Sequence, residues 1–317
     1  MKVKSWRPRV ENFQLPLILF ASLTEFSYNI LMKITQYAKE NHLKVSQIAQ
    51  EAGLPYSTVS ELVNGKKTLG KCTAETVFAL AKYLDTTVED LLVSESCTKY
   101  PNKYELDEKQ RLFLAKKKWD ENVYCGMKME ARAVTFSQTR TILDGINVPK
   151  ISLEDIQAIR NMRDAWVYIL NNTKEKLDFD YICKLNGFIA RDEALEWGVL
   201  RTGSVGISGC SYKPAIPVKE KVEGSIRRIL SSYRSATEKA LELFCFITYN
   251  QLFWDGNKRT ALAASNKLSL DAGCGMIIIK DENMQEFNEK LLHLYQTGEK
   301  EPLKSFLYDK AIIGLEF

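Results

Sequence analysis

Two apolar helical stretches separated by a short glycine-containing break constrain this chain more than any other feature. Residues 237–252 carry Leu241, Leu243, Phe244, Phe246 and Ile247, and a helix this apolar must be buried. A second helix is expected over 258–270. Between them stands Phe253-Trp254-Asp255-Gly256-Asn257. A short loop opening a helix turns backbone N–H groups and the positive helix end outward, which makes an anion site. Gly256 permits close approach of the backbone, and Asn257 adds an amide donor. Arg259 can fork onto phosphate oxygens, and Lys258 adds charge. Asp255 is a hard oxygen ligand suited to magnesium shared with a diphosphate. Singly, each element has a bland reading, since Asp-Gly-Asn is a common turn and an arginine in a first helical turn is often solvated. The whole word between two apolar helices is uncommon.

The 317 residues leave room for two domains. A net charge of +4 is too mild to argue for nucleic acid by itself. The seven cysteines are scattered and form no C-x-x-C, which points to a reducing cytoplasm and away from a disulfide or zinc framework. Residues 1–27 read as a leader. Its basic start and apolar run at 15–23 imitate a signal peptide. Glu11 and Gln14 interrupt that pattern, and the run is too short to span a bilayer. No membrane partner is expected.

Residues 28–95 form a helical block. Ile30, Ile34, Tyr37 and Ala38 keep helical spacing. Ser46 is placed to cap a helix over 47–51, which Gly53 stops. A second helix over 56–63 follows Leu54-Pro55, with further helices at 73–84 and 88–92. Two short helices joined by a glycine-containing turn are a helix-turn-helix. The stretch from Val45 to Lys66 closely resembles the lambda-repressor/Cro (XRE) family, over a five-helix unit. That resemblance makes 56–64 the recognition helix. Gln47, Tyr56, Ser57, Thr58, Ser60 and Asn64 then face base edges, and Lys66, Lys67 and Lys71 face phosphate. The competing reading is a helical interaction module that binds no DNA. It has support, because 28–95 holds seven lysines, no arginine and eight acidic residues, so non-specific phosphate attraction is weak. A homodimer on a double-stranded operator with two half-sites is the natural remedy.

Residues 96–108 are polar and read as a linker, leaving 109–317 as a second, mainly helical domain. The glycine-rich, alternating segment 197–214, with Val199, Val205 and Ile207, predicts a small β-hairpin. Residues 251–259 are similar to the signature of the Fic/Doc family, H-x-F-x-[D/E]-G-N-[G/K]-R, with Gln251 where the family has its catalytic histidine. The similarity runs over roughly 110–310. Residues 197–214, with Arg201, Val205 and Ile207, resemble the family's flap, which pairs with a protein target by strand addition. Residues 126–131 resemble its inhibitory segment, with Glu130 kept and Gly126 and Ala131 in place of the usual flanking residues. Residues 273–306 resemble its C-terminal helices. Leu262 stands where a second arginine is frequent, and the Gly-Asn-Lys-Arg form is that of Doc-like members, which implies phosphoryl transfer. With the second arginine absent, Glu130 reads as a structural remnant rather than a brake.

The resemblance implies an all-α Fic-type domain with a hairpin flap and an ATP-like nucleotide with Mg²⁺. Glutamine cannot accept the proton of a target hydroxyl, and losing a general base costs about 10²–10⁴ in rate. The other candidates are two histidines, His42 and His293, both remote in sequence. Three readings follow. The first is a DNA-binding regulator whose Fic-like domain senses a nucleotide or phosphate. The second is an active nucleotidyl- or phosphotransferase relying on positioning and charge. The third is an interaction scaffold.

Overall fold

The computed structural model describes residues 44–64, 66–67, 69–84, 88, 99–207, 209–232 and 234–315. The leader at 1–27, the helix expected around Ile30–Ala38, His42 and most of the helix expected at 88–92 lie outside them. The chain divides into two compact units, Met1–Ser96 and Cys97–Phe317.

In the first unit, α1 (Val45–Ala52), α2 (Tyr56–Val63) and α3 (Ala74–Tyr83) enclose two small clusters. Helix α1 starts two residues before the expected position. Lys44 is its N-cap and Ser46 lies within it, without a side-chain cap bond. Val45 packs against the cluster of Ile48, Ala49, Val59 and Val63, so burial extends the helix where capping does not. Gly53 ends α1 at φ 65°, a left-handed cap that glycine adopts without strain. Thr73 caps α3 by accepting from Thr76 N–H.

The second unit is built from nine α-helices among the described residues. These are α4 (Glu108–Met129), α5 (Phe136–Leu143), α6 (Leu153–Asn171), α7 (Phe179–Ile189), α8 (Lys219–Ser231), α9 (Ala236–Asn250), α10 (Asn257–Asp271), α11 (Met284–Thr297) and α12 (Glu301–Lys310). The central pair is α9 and α10. Every residue from Arg259 to Lys267 is buried, polar ones included, so α10 runs through the core. Most of its buried polar side chains find partners inside the protein, as burial demands, with Ser265 Oγ and Arg259 Nε the exceptions. Asn266 donates to Ile277 C=O and accepts from its N–H, and Asn122 also donates to Ile277 C=O.

Two expectations need correction. The segment read as a linker is packed onto the second unit from residue 99 onward. Tyr100 is buried and its hydroxyl donates to Glu301. Asn102 accepts from Thr237 N–H at the start of α9, and Leu106 N–H donates to Gly273 C=O. Two of the polar residues that suggested a linker, Asn102 and Asp107, are occupied in capping helices. Among the described residues the hairpin expected at 197–214 is reduced to one antiparallel bridge, Ile207 to Cys210. The sheet among the described residues instead pairs β1 (Met276–Ile277), in the stretch that resembled C-terminal helices, with β2 (Ile312–Ile313) beyond it, antiparallel. No helix among the described residues is long and apolar enough to cross a membrane.

Candidate functional sites

Six residues join α9 to α10. Gln251 ends α9 in the left-handed region at φ 46°, and Gly256 caps α10 at φ 70°. A side chain at 256 would place its Cβ 3.0 Å from Ile189 Cγ2, so glycine is required by both conformation and space. Asn257 holds the loop shut. Its Oδ1 accepts from Phe253 N–H at 2.9 Å and its Nδ2 donates to Phe253 C=O at 2.8 Å. Asn186 donates to Asp255 C=O and to Thr260 Oγ1, which pins the loop to α7. Gly256 N–H donates to Asp255 Oδ1. The N–H groups of Asn257, Lys258 and Arg259 find no acceptor among the described residues. The start of α10 therefore presents open donors at the positive end of the helix.

The basic side chains expected around these donors are engaged elsewhere. Arg259 is 1% exposed and points into the protein. Its Nη1 lies 2.9 Å from Glu193 Oε1 and also donates to Ile189 C=O. Burial works against its charge, but Glu193, then Glu130 and Asp255, outweigh this and raise its proton affinity above the ordinary value. Glu193 in turn pairs with Arg132, which pairs with Asp155. Lys258 Nζ donates to Met129 C=O at 2.6 Å and pairs with Glu130 at 3.0 Å. This places a cation at the negative end of α4, where it is electrostatically favoured. Asn257, Lys258 and Arg259, expected to point their side chains at phosphate, thus have internal partners in this structure. An internal carboxylate or carbonyl reaches each first.

Glu130 sits at the C-cap of α4. Arg132 N–H donates to Met127 C=O and Ala131 N–H to Lys128 C=O, with Ala131 at φ 55°. This is a Schellman closure, whose left-handed position favours glycine or asparagine. Here alanine occupies it. At Gly126 a Cβ would stand 2.9 Å from Met162 Cε, so glycine there admits close packing of α6 on α4. Leu262 is fully buried in the apolar core.

Gln251 is half-buried. Its Nε2 donates to Thr248 C=O at 2.6 Å and lies 3.3 Å from the Tyr295 hydroxyl. The amide closes the end of its own helix. Asp255 keeps a side chain 48% exposed, with Oδ1 3.7 Å from Arg259 Nη2. Among the described residues no group of three or more His, Cys, Asp or Glu could hold a metal alone.

The segment after α7 covers one side of the loop. Arg201, placed in the flap by the resemblance, is 1% exposed. It donates to the carbonyls of Gln251, Gly203, Pro214 and Ala215, closing residues 201–215 onto the end of α9. Val205 and Ile207 remain half-buried. Trp254 packs over Gly203, where a Cβ would come within 2.5 Å of its ring, and Tyr212 stacks on Tyr249 at 4.6 Å. Sequence reading missed Asn186, Glu193, Arg132 and Arg201's clamp, because their partners lie tens of residues away.

On the first unit, Gln47, Tyr56, Ser57, Asn64 and Lys66 are exposed, while Thr58, Ser60 and Lys67 are half-buried. Asn64 Nδ2 donates to Ser60 C=O and Oγ. The N–H groups of Lys66 and Lys67 both return to Glu61 C=O.

The comparisons agree with this architecture. A family model for Cro/C1-type HTH DNA-binding domains matches residues 33–95. One for the Fic/DOC family matches residues 176–269. Solved structures of similar fold include Fic-1 from C. elegans, in a Glu-to-Gly variant, at 16% identity and a TM-score of 0.56, covering 88% of this chain and 83% of that one. The same protein without the substitution gives 0.52 at the same identity and coverage. A Fic domain containing signaling protein from Bacteroides thetaiotaomicron gives 0.50 at 19% identity, covering 61% of this chain and 81% of that one. No curated protein sequence matches significantly. With each match falling on one of the two compact units, the chain carries a Cro/C1-type helix-turn-helix DNA-binding domain and a Fic/DOC-family domain.

Proposed function

We propose that this chain is a DNA-binding transcriptional regulator whose Fic-type domain binds a nucleotide or related phosphate ligand and transfers little or nothing from it. The observation that carries this reading is Gln251. It occupies the general-base position with an amide that bonds its own helix end and Tyr295. The neighbouring helix start keeps open N–H donors, the phosphate-binding half of such a site. Asp255 suits magnesium only in the mode where one carboxylate and the phosphate oxygens of a nucleotide share the ion. The Glu130–Lys258 pair lies beside these donors, so a ligand that recruits Lys258 competes with Glu130. We place the chain in the cytoplasm, as a homodimer on a two-half-site operator.

The test is a thermal-shift panel of ATP, CTP, GTP and UTP with Mg²⁺ on wild type, Glu130→Ala and Asp255→Ala. A ligand at a hundredfold its Kd adds about 2.7 kcal/mol to stability. One nucleotide should stabilise wild type, more so Glu130→Ala, and less so Asp255→Ala. It should also change operator affinity, because sensing requires the ligand to favour one conformation. No shift with any nucleotide in either wild type or Glu130→Ala sinks the ligand-binding claim.

The second reading is an active transferase that modifies a protein hydroxyl, with the DNA-binding domain controlling its own expression. The open donors and solvent-facing Asp255 favour it, since phosphoryl transfer depends mainly on positioning and charge stabilisation. Incorporation of label from radioactive nucleotide into lysate protein, abolished by Asp255→Ala, would establish it over the first.

A further inference from the structure

Helix α2 buries Val59, Leu62 and Val63. At about 100° per residue, the stripe opposite those three is Ser57, Glu61 and Asn64. All three are exposed. Glu61 therefore stands in the middle of the face that a helix-turn-helix presents to DNA. Its carboxylate has no hydrogen-bond or ion-pair partner among the described residues. The nearby Lys66 and Lys67 bond its backbone carbonyl through their N–H groups. Asn64 is tied to Ser60, which leaves Glu61 as the charged, uncommitted head on the stripe.

A carboxylate on this face repels phosphate and the acceptor atoms of guanine and thymine. It is compatible with the major groove only opposite an amine, and the geometry that suits it is the N4 amine of cytosine. Seven lysines against eight acidic residues in 28–95 leave no surplus positive charge to mask the mismatch. We infer that Glu61 is a specificity-determining residue that reads a cytosine in each operator half-site. The inference rests on the reading of this unit as a DNA binder and adds the base it selects. Glutamine at the same place both accepts and donates, and pairs bidentately with adenine N6 and N7. Glu61→Gln therefore converts one position of the half-site from cytosine to adenine, where simple loss of charge would only raise affinity for every sequence.

The experiment is selection from a random duplex library with the full chain, comparing wild type, Glu61→Gln and Glu75→Gln. Glu75 is exposed in the first turn of α3 and controls for the charge change. Wild type should enrich a half-site with one cytosine preferred roughly tenfold over other bases. Glu61→Gln should lose that preference, gain adenine there and leave the other positions unchanged. Glu75→Gln should keep the wild-type motif. Enrichment of an identical motif by wild type and Glu61→Gln overturns the inference and leaves DNA binding standing. No enrichment by the wild type overturns both.

Discussion

A basic side chain in the first turn of a helix has two outlets: an anion outside the protein or a carboxylate within it. Arg259 takes the second, and the whole Arg259–Glu193–Arg132–Asp155 chain is a consequence. Removing one partner from such a buried set leaves a charge without compensation, at about 3–5 kcal/mol. Glu193→Gln should therefore lower the unfolding free energy of the second unit by roughly that much, read from the denaturant midpoint at constant slope, with Arg259→Ala costing a similar amount. A change below about 0.5 kcal/mol in both would mean that the pair is solvated and that Arg259 is available to a ligand. For this reason Asp255, half-exposed, is the better probe of ligand binding. The identity of Arg259 was legible in the sequence. Its direction was not, because Glu193 is 66 residues away along the chain.

At the scale of elements, the informative feature is the end of α4. Its closure needs a residue in the left-handed region, and Ala131 adopts φ 55° there. An L-residue with a Cβ is strained in this region by about 1–2 kcal/mol, while glycine is not. Ala131→Gly should raise stability by about 1 kcal/mol, read as a shift in denaturant midpoint at constant slope. A loss of stability would show that Ala131's methyl packs usefully enough to outweigh the strain. The change bears on the site, because α4's end positions Glu130 against Lys258. The periodicity of α2 and the stop at Gly53 were readable in advance, since both depend on neighbours within one turn. The hairpin expected at 197–214 is smaller than its alternation suggested, one antiparallel bridge between Ile207 and Cys210 among the described residues. Its alternation reflects a loop held by Arg201 and Trp254 rather than a ladder.

At the scale of the molecule, the two units close separate cores. Leu80, 1% exposed, belongs to the first unit, and Trp166, fully buried, to the second. Leu80→Ala should cost about 2–5 kcal/mol of the first unit's stability. It should reduce far-UV helicity at temperatures where the near-UV signal of the buried tryptophan persists. Simultaneous loss of both signals would mean that the units unfold as one. By itself the sequence determined that two helical units exist, where α2, α9 and α10 run, and that a glycine-containing loop headed by Gln251 joins the last two. These follow from local spacing and residue type. Only the tertiary structure decided that Arg259, Asn257 and Arg201 serve the protein's interior and that residues from 99 onward are part of the second unit. A side chain's partner is set by whichever charge or carbonyl the fold brings within about 3 Å, and that distance is not written in local sequence.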